Sequence, residues 1–415
     1  MKKYLLTSLV LASAIPLTMG GTITQPETWP QWRGPTRDGV FQGPEWPASL
    51  GEKRLKQTWR KELSPGYSSP IVAEDRVFTV ETKDRKHEIV RAFDQATGEQ
   101  IWEAQWEGAM SVPFFAKANG SWARCTPAYS DGKLYVGGMR DVLVCLDAAT
   151  GRRLWLVDFA ERNKTPVPSF GFVSSPLVHG DSVYVQAGAA FVRLDKATGK
   201  TIWRSLSDGG GMNGSAFSSP VFAEIGGMPQ LIVQTRLELT GVAPATGKPL
   251  WRQPVKAFRG MNILTPVVHE DGFFTSTYGG RTSLFKANTG GEGGDLTLAW
   301  DNKLQGYMST PVVIDGHAYL HLRNTRFACV DLASGEVTWT TTDRFGKYMS
   351  MVVQGDKILA LDQKGELFLF RANPAKFEKL DERKLTDNET WAHLAVVGHE
   401  LFVRELNAIA AYEWR

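Results

Sequence analysis

Short apolar runs of three to six residues recur along the chain with polar, glycine-containing turns between them, and the whole pattern repeats. The clearest copy opens at Ser69-Pro70 and runs through Ile71-Val72, Arg76-Val77-Phe78-Thr79-Val80 and Ala92-Phe93-Asp94. It then turns at Ala96-Thr97-Gly98 and ends at Ile101-Trp102. The next runs from Thr126-Pro127 through Lys133-Leu134-Tyr135-Val136 and Leu146-Asp147, turns at Thr150-Gly151 and closes at Leu154-Trp155. Copies opening at Ser175-Pro176, Ser219-Pro220, Thr265-Pro266 and Thr310-Pro311 close with Trp203, Trp251, Trp300 and Trp339. Two degenerate copies follow: one from Ser350-Met351, with Phe377 in the Trp place, and one from His393-Leu394 to Trp414. The openings at 70, 127, 176, 220, 266, 311, 351 and 394 stand 40 to 57 residues apart, the length of one four-stranded blade.

Each position in the unit has a physical reason. Proline lacks an N–H donor and so suits the first residue of a strand rather than its middle. Asp94, Asp147, Asp195 and Asp331 stand three or four residues before Thr-Gly or Ser-Gly, where a carboxylate accepts turn amides and glycine takes a positive φ. That marks tight turns between third and fourth strands. Trp102, Trp155, Trp203 and Trp339 each fall eight residues after their aspartate. A tryptophan burying about 200 Å² contributes at most about 5 kcal/mol, so one per blade dominates the packing of blade on blade. The seven tryptophans of this kind, Trp59 included, are therefore read as structural rather than as ligand stackers.

Trp59 lies in an isolated strand-like segment, Leu55 to Leu63, while the last copy stops at Arg415 before any fourth strand. The segment is expected to complete the last blade and so remove an open sheet edge. The predicted fold is all-β: an eight-bladed β-propeller of four-stranded antiparallel blades over residues 55–415, closed by the N-terminal strand. Residues 21–54 form a lead segment.

The unit Ala92-Phe93-Asp94-Gln95-Ala96-Thr97-Gly98-Glu99-Gln100-Ile101-Trp102 resembles the repeat of the pyrroloquinoline-quinone (PQQ) type propeller family. The lead residues Trp29-Pro30-Gln31-Trp32-Arg33-Gly34-Pro35-Thr36-Arg37-Asp38-Gly39 are similar to the segment that precedes many of these propellers. The resemblance implies one of two roles: a quinoprotein dehydrogenase, or a non-catalytic assembly scaffold of the kind that BamB exemplifies.

Composition narrows this modestly. A 415-residue chain with 42% hydrophobic and 22% charged residues is neither disordered nor fibrous. Lys2 and Lys3, the apolar run from Tyr4 to Ile15 and the small residues up to Gly21 read as a signal peptide over residues 1–20, so export to the periplasm is expected. The run is too short to span a bilayer, and no cysteine near the cut suggests a lipid anchor. Loss of Lys2 and Lys3 takes the formal charge from +3 to +1, which gives no bias toward nucleic acid. Cys145 and Cys329 fall in the second and sixth copies, on opposite sides of an eight-membered ring, beyond disulfide reach.

The resemblance to quinoprotein dehydrogenases implies PQQ with Ca²⁺ over the central channel, held by acidic and amide side chains beside a catalytic aspartate. None of the eight loops entering the innermost strands contains Asp or Glu, although acids in longer loops, such as Glu161, Asp208 or Asp301, could reach in. The seven histidines are scattered over different blades. No catalytic residue, metal ligand or cofactor is therefore assigned, and PQQ with Ca²⁺ belongs to the alternative alone. Arg140, Arg236, Arg281, Arg323, Arg326 and Arg404 recur near the turn after the second strand, as surface arginines or as a basic ring. The same face receives Tyr67, Trp122, Phe172, Phe217, Tyr307, Tyr348 and Trp391, with Arg124, Asn262 and His393 among them. Stacking surface combined with hydrogen-bond donors is the mix of a binding site for a protein or polymer partner.

Overall fold

The computed structural model describes residues 28–212, 214, 216–287 and 296–415; the expected signal peptide and the first residues of the lead segment lie outside them. Eight four-stranded antiparallel sheets form the blades of a propeller. The innermost strands of blades 1 to 8 begin at Ile71, Ala128, Leu177, Val221, Val267, Val312, Met349 and Ala395. In blades 1 to 6 the strand starts on the residue after the proline, where the missing N–H costs no ladder bond. Inner and middle strands are almost wholly buried, whereas a fourth strand such as Gln100–Glu107 alternates toward solvent.

Closure follows the expected route. The strand Leu55–Glu62 pairs with Ala408–Trp414 and is the outermost strand of blade 8, so the two ends of the ring share one sheet. The turn chemistry is also as expected. Asp94 Oδ1 accepts from the Thr97 amide and hydroxyl at 2.8 Å each, and Asp147, Asp195 and Asp331 do the same with Thr150, Thr198 and Ser334.

The tryptophans bind blade to blade more specifically than their burial alone requires. A β-bulge in each blade falls immediately beyond the residue paired with the tryptophan, as at Ala92 opposite Trp102 and Cys145 opposite Trp155. A bulge re-aims the side chain that flanks it. The indole N–H of Trp59, Trp102, Trp155, Trp203, Trp300 and Trp339 then donates to a backbone carbonyl of the next blade at 2.7–3.3 Å. For Trp59 and Trp102 the acceptors are Gln95 and Ala148, each the residue after the turn aspartate. The indole face also lies over the turn glycine: a Cβ on Gly98 would sit 2.5 Å from the Trp59 ring, and one on Gly151 equally close to Trp102. Trp251, which precedes the undescribed 288–295 turn, instead donates to Gln230 of its own blade.

Blade 7 departs from the expectation for Phe377. The position before its bulge is Asp381, opposite Leu369, while Phe377 precedes the strand and packs on Trp339 and Phe370 of blades 6 and 7. Asp381 accepts from Ser49 Oγ at 2.9 Å and Leu50 N at 2.7 Å, so the lead segment occupies the place of the missing indole. Trp46 stacks between Phe41 and Trp414 there, at 5.7 and 5.9 Å. All three cysteines are buried and unpaired, so Cys145 and Cys329 form no disulfide, as expected from their places in the ring.

Two glycine substitutions separate turn strain from the interlock. Gly132→Ala, at φ 72° with nothing near its Cβ, should cost about 1–2 kcal/mol from backbone strain alone. Gly98→Ala, at φ 66° under Trp59, should cost roughly 2 kcal/mol more through overpacking. Urea denaturation measures both, and equal losses would show that the indole contact contributes nothing.

Candidate functional site

The lead segment closes one end of the central channel. Trp29 bridges to Val72 of blade 1 through two backbone hydrogen bonds of 2.9 Å, and Tyr129 N of blade 2 donates to Pro30 O. On the far side Phe41 N donates to Val353 O, and Val353 N to Gly39 O, in blade 7. Between these anchors the chain projects Trp32, Arg33 and Arg37 into the axis. Arg33 donates to Pro311 O at 2.8 Å and Asp38 O at 2.6 Å, and Arg37 to Pro176 O at 2.7 Å and Ser175 O at 3.2 Å. Burial pushes these guanidiniums down to about 10 and about 9, so both remain cationic at neutral pH. They flank the Trp32 ring at 5.6 and 5.4 Å.

Above Trp32 lies a cavity of about 200 Å³ that opens on the face bearing the loops into the innermost strands, hereafter the top face. Its wall is a belt of hydroxyls from the Ser/Thr that precedes each proline. His393 N donates to Ser69 Oγ, Ser69 N to Thr126 Oγ1, and Thr126 N to Ser175 Oγ. The sequence continues from Ser175 N to Ser219 Oγ, Ser219 N to Thr265 Oγ1 and Thr265 N to Thr310 Oγ1. Each hydroxyl thus satisfies an amide of the neighbouring blade. The aromatic layer stands above: Trp391 stacks on Tyr348 at 5.9 Å and meets Tyr67 at 5.7 Å, and Arg124 lies over the Tyr67 ring at 5.7 Å.

Seven of the ten expected rim residues line this cavity: Tyr67, Arg124, Phe217, Tyr307, Tyr348, Trp391 and His393. Three do not. Phe172 is buried in the core between blades 2 and 3, against Gly137, and Phe170 two residues earlier faces the cavity instead. Asn262 is buried with its amide on Arg236 O and Val255 O, while its neighbours Met261 and Ile263 line the wall. Trp122 stands half-buried behind Tyr67, with which it shares a side-chain hydrogen bond. Extended loops alternate their side chains, so a residue chosen by type alone can face the wrong way.

No carboxylate lines the cavity. Glu389, which helps burial raise the Tyr67 phenol to about 12, is held by Gln363. Asp301 pairs with Arg281, Asp208 binds the Gly210 amide, and Glu161 sits in the short helix Phe159–Asn163. The suggested arginine ring does not close. Arg404 is buried on the carbonyls of Ser64, Leu406 and Ala408, Arg323 stacks on Tyr278 at 4.1 Å, and Arg236 stacks on Phe217 at 5.4 Å. Burial pushes the His393 imidazole, beside cationic Arg33, down to about 3, and it is neutral.

A second hollow, of about 980 Å³, continues from the first across the top face and shares Asn119, Phe170, Met261 and Tyr307 with it. Its walls include Phe115, Met212, Leu237 and Phe258, all exposed, with Leu237 at 74%. Phe114 and Phe115 belong to an insertion in the longest interval of the repeat, the 57 residues from Pro70 to Pro127, and that excess length is the signal that marks it.

A family model described as outer membrane protein assembly factor BamB matches residues 50–113 and 86–341. BamB of Yersinia pestis is 23% identical over 270 residues, covering 60% of this chain and 63% of the relative, so the match spans less than two thirds of that protein. The crystal structure of BamB from Moraxella catarrhalis superposes with a TM-score of 0.65 at 16% identity, over 87% of this chain and 100% of the other. Quinohemoprotein alcohol dehydrogenase from Comamonas testosteroni also gives a TM-score of 0.65, at 14% identity over 93% and 80%. At these identities the structural likenesses establish the fold.

Two buried carboxyls on this face predict a pH dependence. Glu88 accepts from Met139 N at 2.8 Å and Trp106 Nε1 at 2.9 Å, and Asp141 accepts from Gly188 N at 2.9 Å. Burial pushes both up to about 7. A carboxyl raised in the folded state binds its proton more tightly there than in the unfolded chain, so its stabilising effect is fully present at low pH and is lost as pH rises through 7. Buried His321 and His393, lowered to about 4 and about 3, act oppositely and only below about 6.5. Between pH 6.5 and 8, where the histidines no longer oppose them, stability should therefore fall by roughly 0.8 kcal/mol in total for each carboxyl, the larger part of the loss lying between about pH 4 and 6.5. Denaturation midpoints of a Glu88→Gln, Asp141→Asn double variant should be nearly flat over that range, and an unchanged slope would assign the dependence elsewhere.

Proposed function

The chain belongs to the family described as outer membrane protein assembly factor BamB, and from that membership we propose that it is a non-catalytic scaffold that binds a protein partner on its top face. The observation that carries the proposal is the continuity of the axial cavity with an apolar hollow whose phenylalanines and leucine stand open to solvent. A contiguous exposed apolar surface of this kind is characteristic of interaction sites. On this reading the scaffold works in the periplasm after export on its basic and apolar leader, and it does not bind nucleic acid. Among the described residues no helix is long and apolar enough to cross a membrane.

The dehydrogenase reading draws on the shared fold, and the residues do not fit its cofactor. A Ca²⁺ ion takes six to eight oxygen ligands, carboxylates prominent among them, and a proton-abstracting base must stand within hydrogen-bond reach of the reacting atoms. The axial cavity presents no carboxylate, and among the described residues no cluster of three or more His, Cys, Asp or Glu side chains is suited to a metal. Glu88 and Asp141, the buried carboxyls nearest in character to a base, are committed to backbone amides of the next blade.

Photo-crosslinking tests the scaffold directly. A benzophenone amino acid at Phe115 or Phe258 should yield discrete protein adducts in the periplasm, and one at Lys196 on the opposite face should not. Phe115→Ser and Leu237→Ser should leave the melting temperature within about 1 °C, because exposed side chains contribute little to stability, and should abolish the adducts made from Phe258. Incubation with PQQ and Ca²⁺ should leave no retained quinone absorbance after desalting; stoichiometric retention with alcohol oxidation would replace this reading with the dehydrogenase.

A further inference from the structure

Among the polar groups that line the axial cavity, hydroxyls and a guanidinium predominate and no carboxylate is present. Ser69, Thr126, Ser175, Ser219, Thr265 and Thr310 each use their hydroxyl oxygen to accept an amide of the adjoining blade. With one lone pair so engaged, each hydroxyl keeps its O–H free to donate, and the six line one narrow space. Arg124 enters the same space from the rim, its guanidinium held by Asn119 O.

The electrostatics point the same way. Arg33 and Arg37 lie under the floor on backbone carbonyls, and the Nε of each has no partner. Two buried cations, with Asp38 beside Arg33 but no carboxylate in the cavity lining, project a positive potential upward through a medium that screens poorly. His393 is 8% exposed, neutral and unpartnered at Nδ1, so it adds a polar nitrogen without adding an anion. The aromatic layer of Tyr67, Tyr348 and Trp391 fits an apolar or aromatic stem above an anionic head.

From this arrangement we infer that the axial cavity is an oxyanion site, which takes a carboxylate, phosphate or sulfate carried on an apolar stem inserted from the top face. The inference rests on the scaffold reading and adds to it the chemistry of the group that the partner or ligand presents at the axis. It requires no metal, because the cavity itself supplies the counter-charge.

Phenylacetate, phenyl phosphate and neutral phenylacetamide are probes of matching size, titrated calorimetrically at constant ionic strength. At least one of the two anions should bind at least tenfold more tightly than the amide, and which of them binds tighter identifies the source chemistry. Arg124→Gln should bring that anion down to the level of the amide, and Arg124→Lys should restore part of the difference; circular dichroism checks that both variants are folded. Selenate soaked into crystals should give anomalous density among the six hydroxyls. Equal binding of anions and amide by the wild-type protein, or an anion preference untouched by Arg124→Gln, would overturn the site. Crosslinks from Phe258 that persist in a protein without anion preference would refute this inference alone, whereas anion discrimination without any crosslinked partner would refute the scaffold alone.

Discussion

Everything in this molecule depends on the contact between the tryptophan at the end of one blade and the aspartate–glycine turn of the next. The contact combines three requirements at one place. The bulge aims the indole outward from its own blade, the carbonyl after the aspartate receives its N–H, and the glycine leaves room for its face. A net hydrogen-bond gain of about 1 kcal/mol is modest beside the buried ring area, yet it sets the angle between blades. Eight similar angles make a closed ring, and the strand Leu55–Glu62 closes it by pairing with the last blade.

Closure leaves an axial channel, and the lead segment determines what that channel is. By threading Trp32 between Arg33 and Arg37 and seating both guanidiniums on inward carbonyls, it turns a tube into a cup. Burying a guanidinium costs several kcal/mol unless its donors are satisfied, and the carbonyls of Pro311, Pro176 and Ser175 receive three of theirs. The same segment supplies Trp46, Ser49 and Leu50 at the blade 7 position where the repeat lacks its tryptophan. One stretch of chain therefore fills the blade 7 position that lacks its tryptophan and floors the cavity.

The chemistry of the cup follows from how the ring is sewn at its centre. The hydroxyl ahead of each proline accepts an amide from the neighbouring blade, which makes the wall cohesive and leaves each O–H free to donate. A propeller of this shape whose loops supplied clustered carboxylates would hold a hard cation. Here the loops supply aromatics and arginine, and the buried cations lie below. Such a lining suits a ligand held through donors and stacking surfaces.

The ring architecture was legible in the sequence because it rests on local, periodic rules. The aspartate-to-tryptophan spacing, the proline at each opening and the stranded Trp59 segment each act over one blade or one turn, and the eight-bladed closure follows from counting them. Seven rim residues were legible for the same reason, since the loops entering the innermost strands must converge. The orientation of Phe172 and Asn262 was not, because a single step along an extended loop exchanges core for cavity. Nor was the place of Asp381, which only strand register reveals. Trp32, Arg33 and Arg37 stand in plain view in the leader, but their contacts reach blades 3 and 6, more than a hundred residues away. By itself the sequence determined how many blades form and how each grips the next; only the tertiary structure decided which end of the channel is sealed and what charge lies beneath the cavity, because both depend on where one non-repeating segment crosses a ring built by all the others.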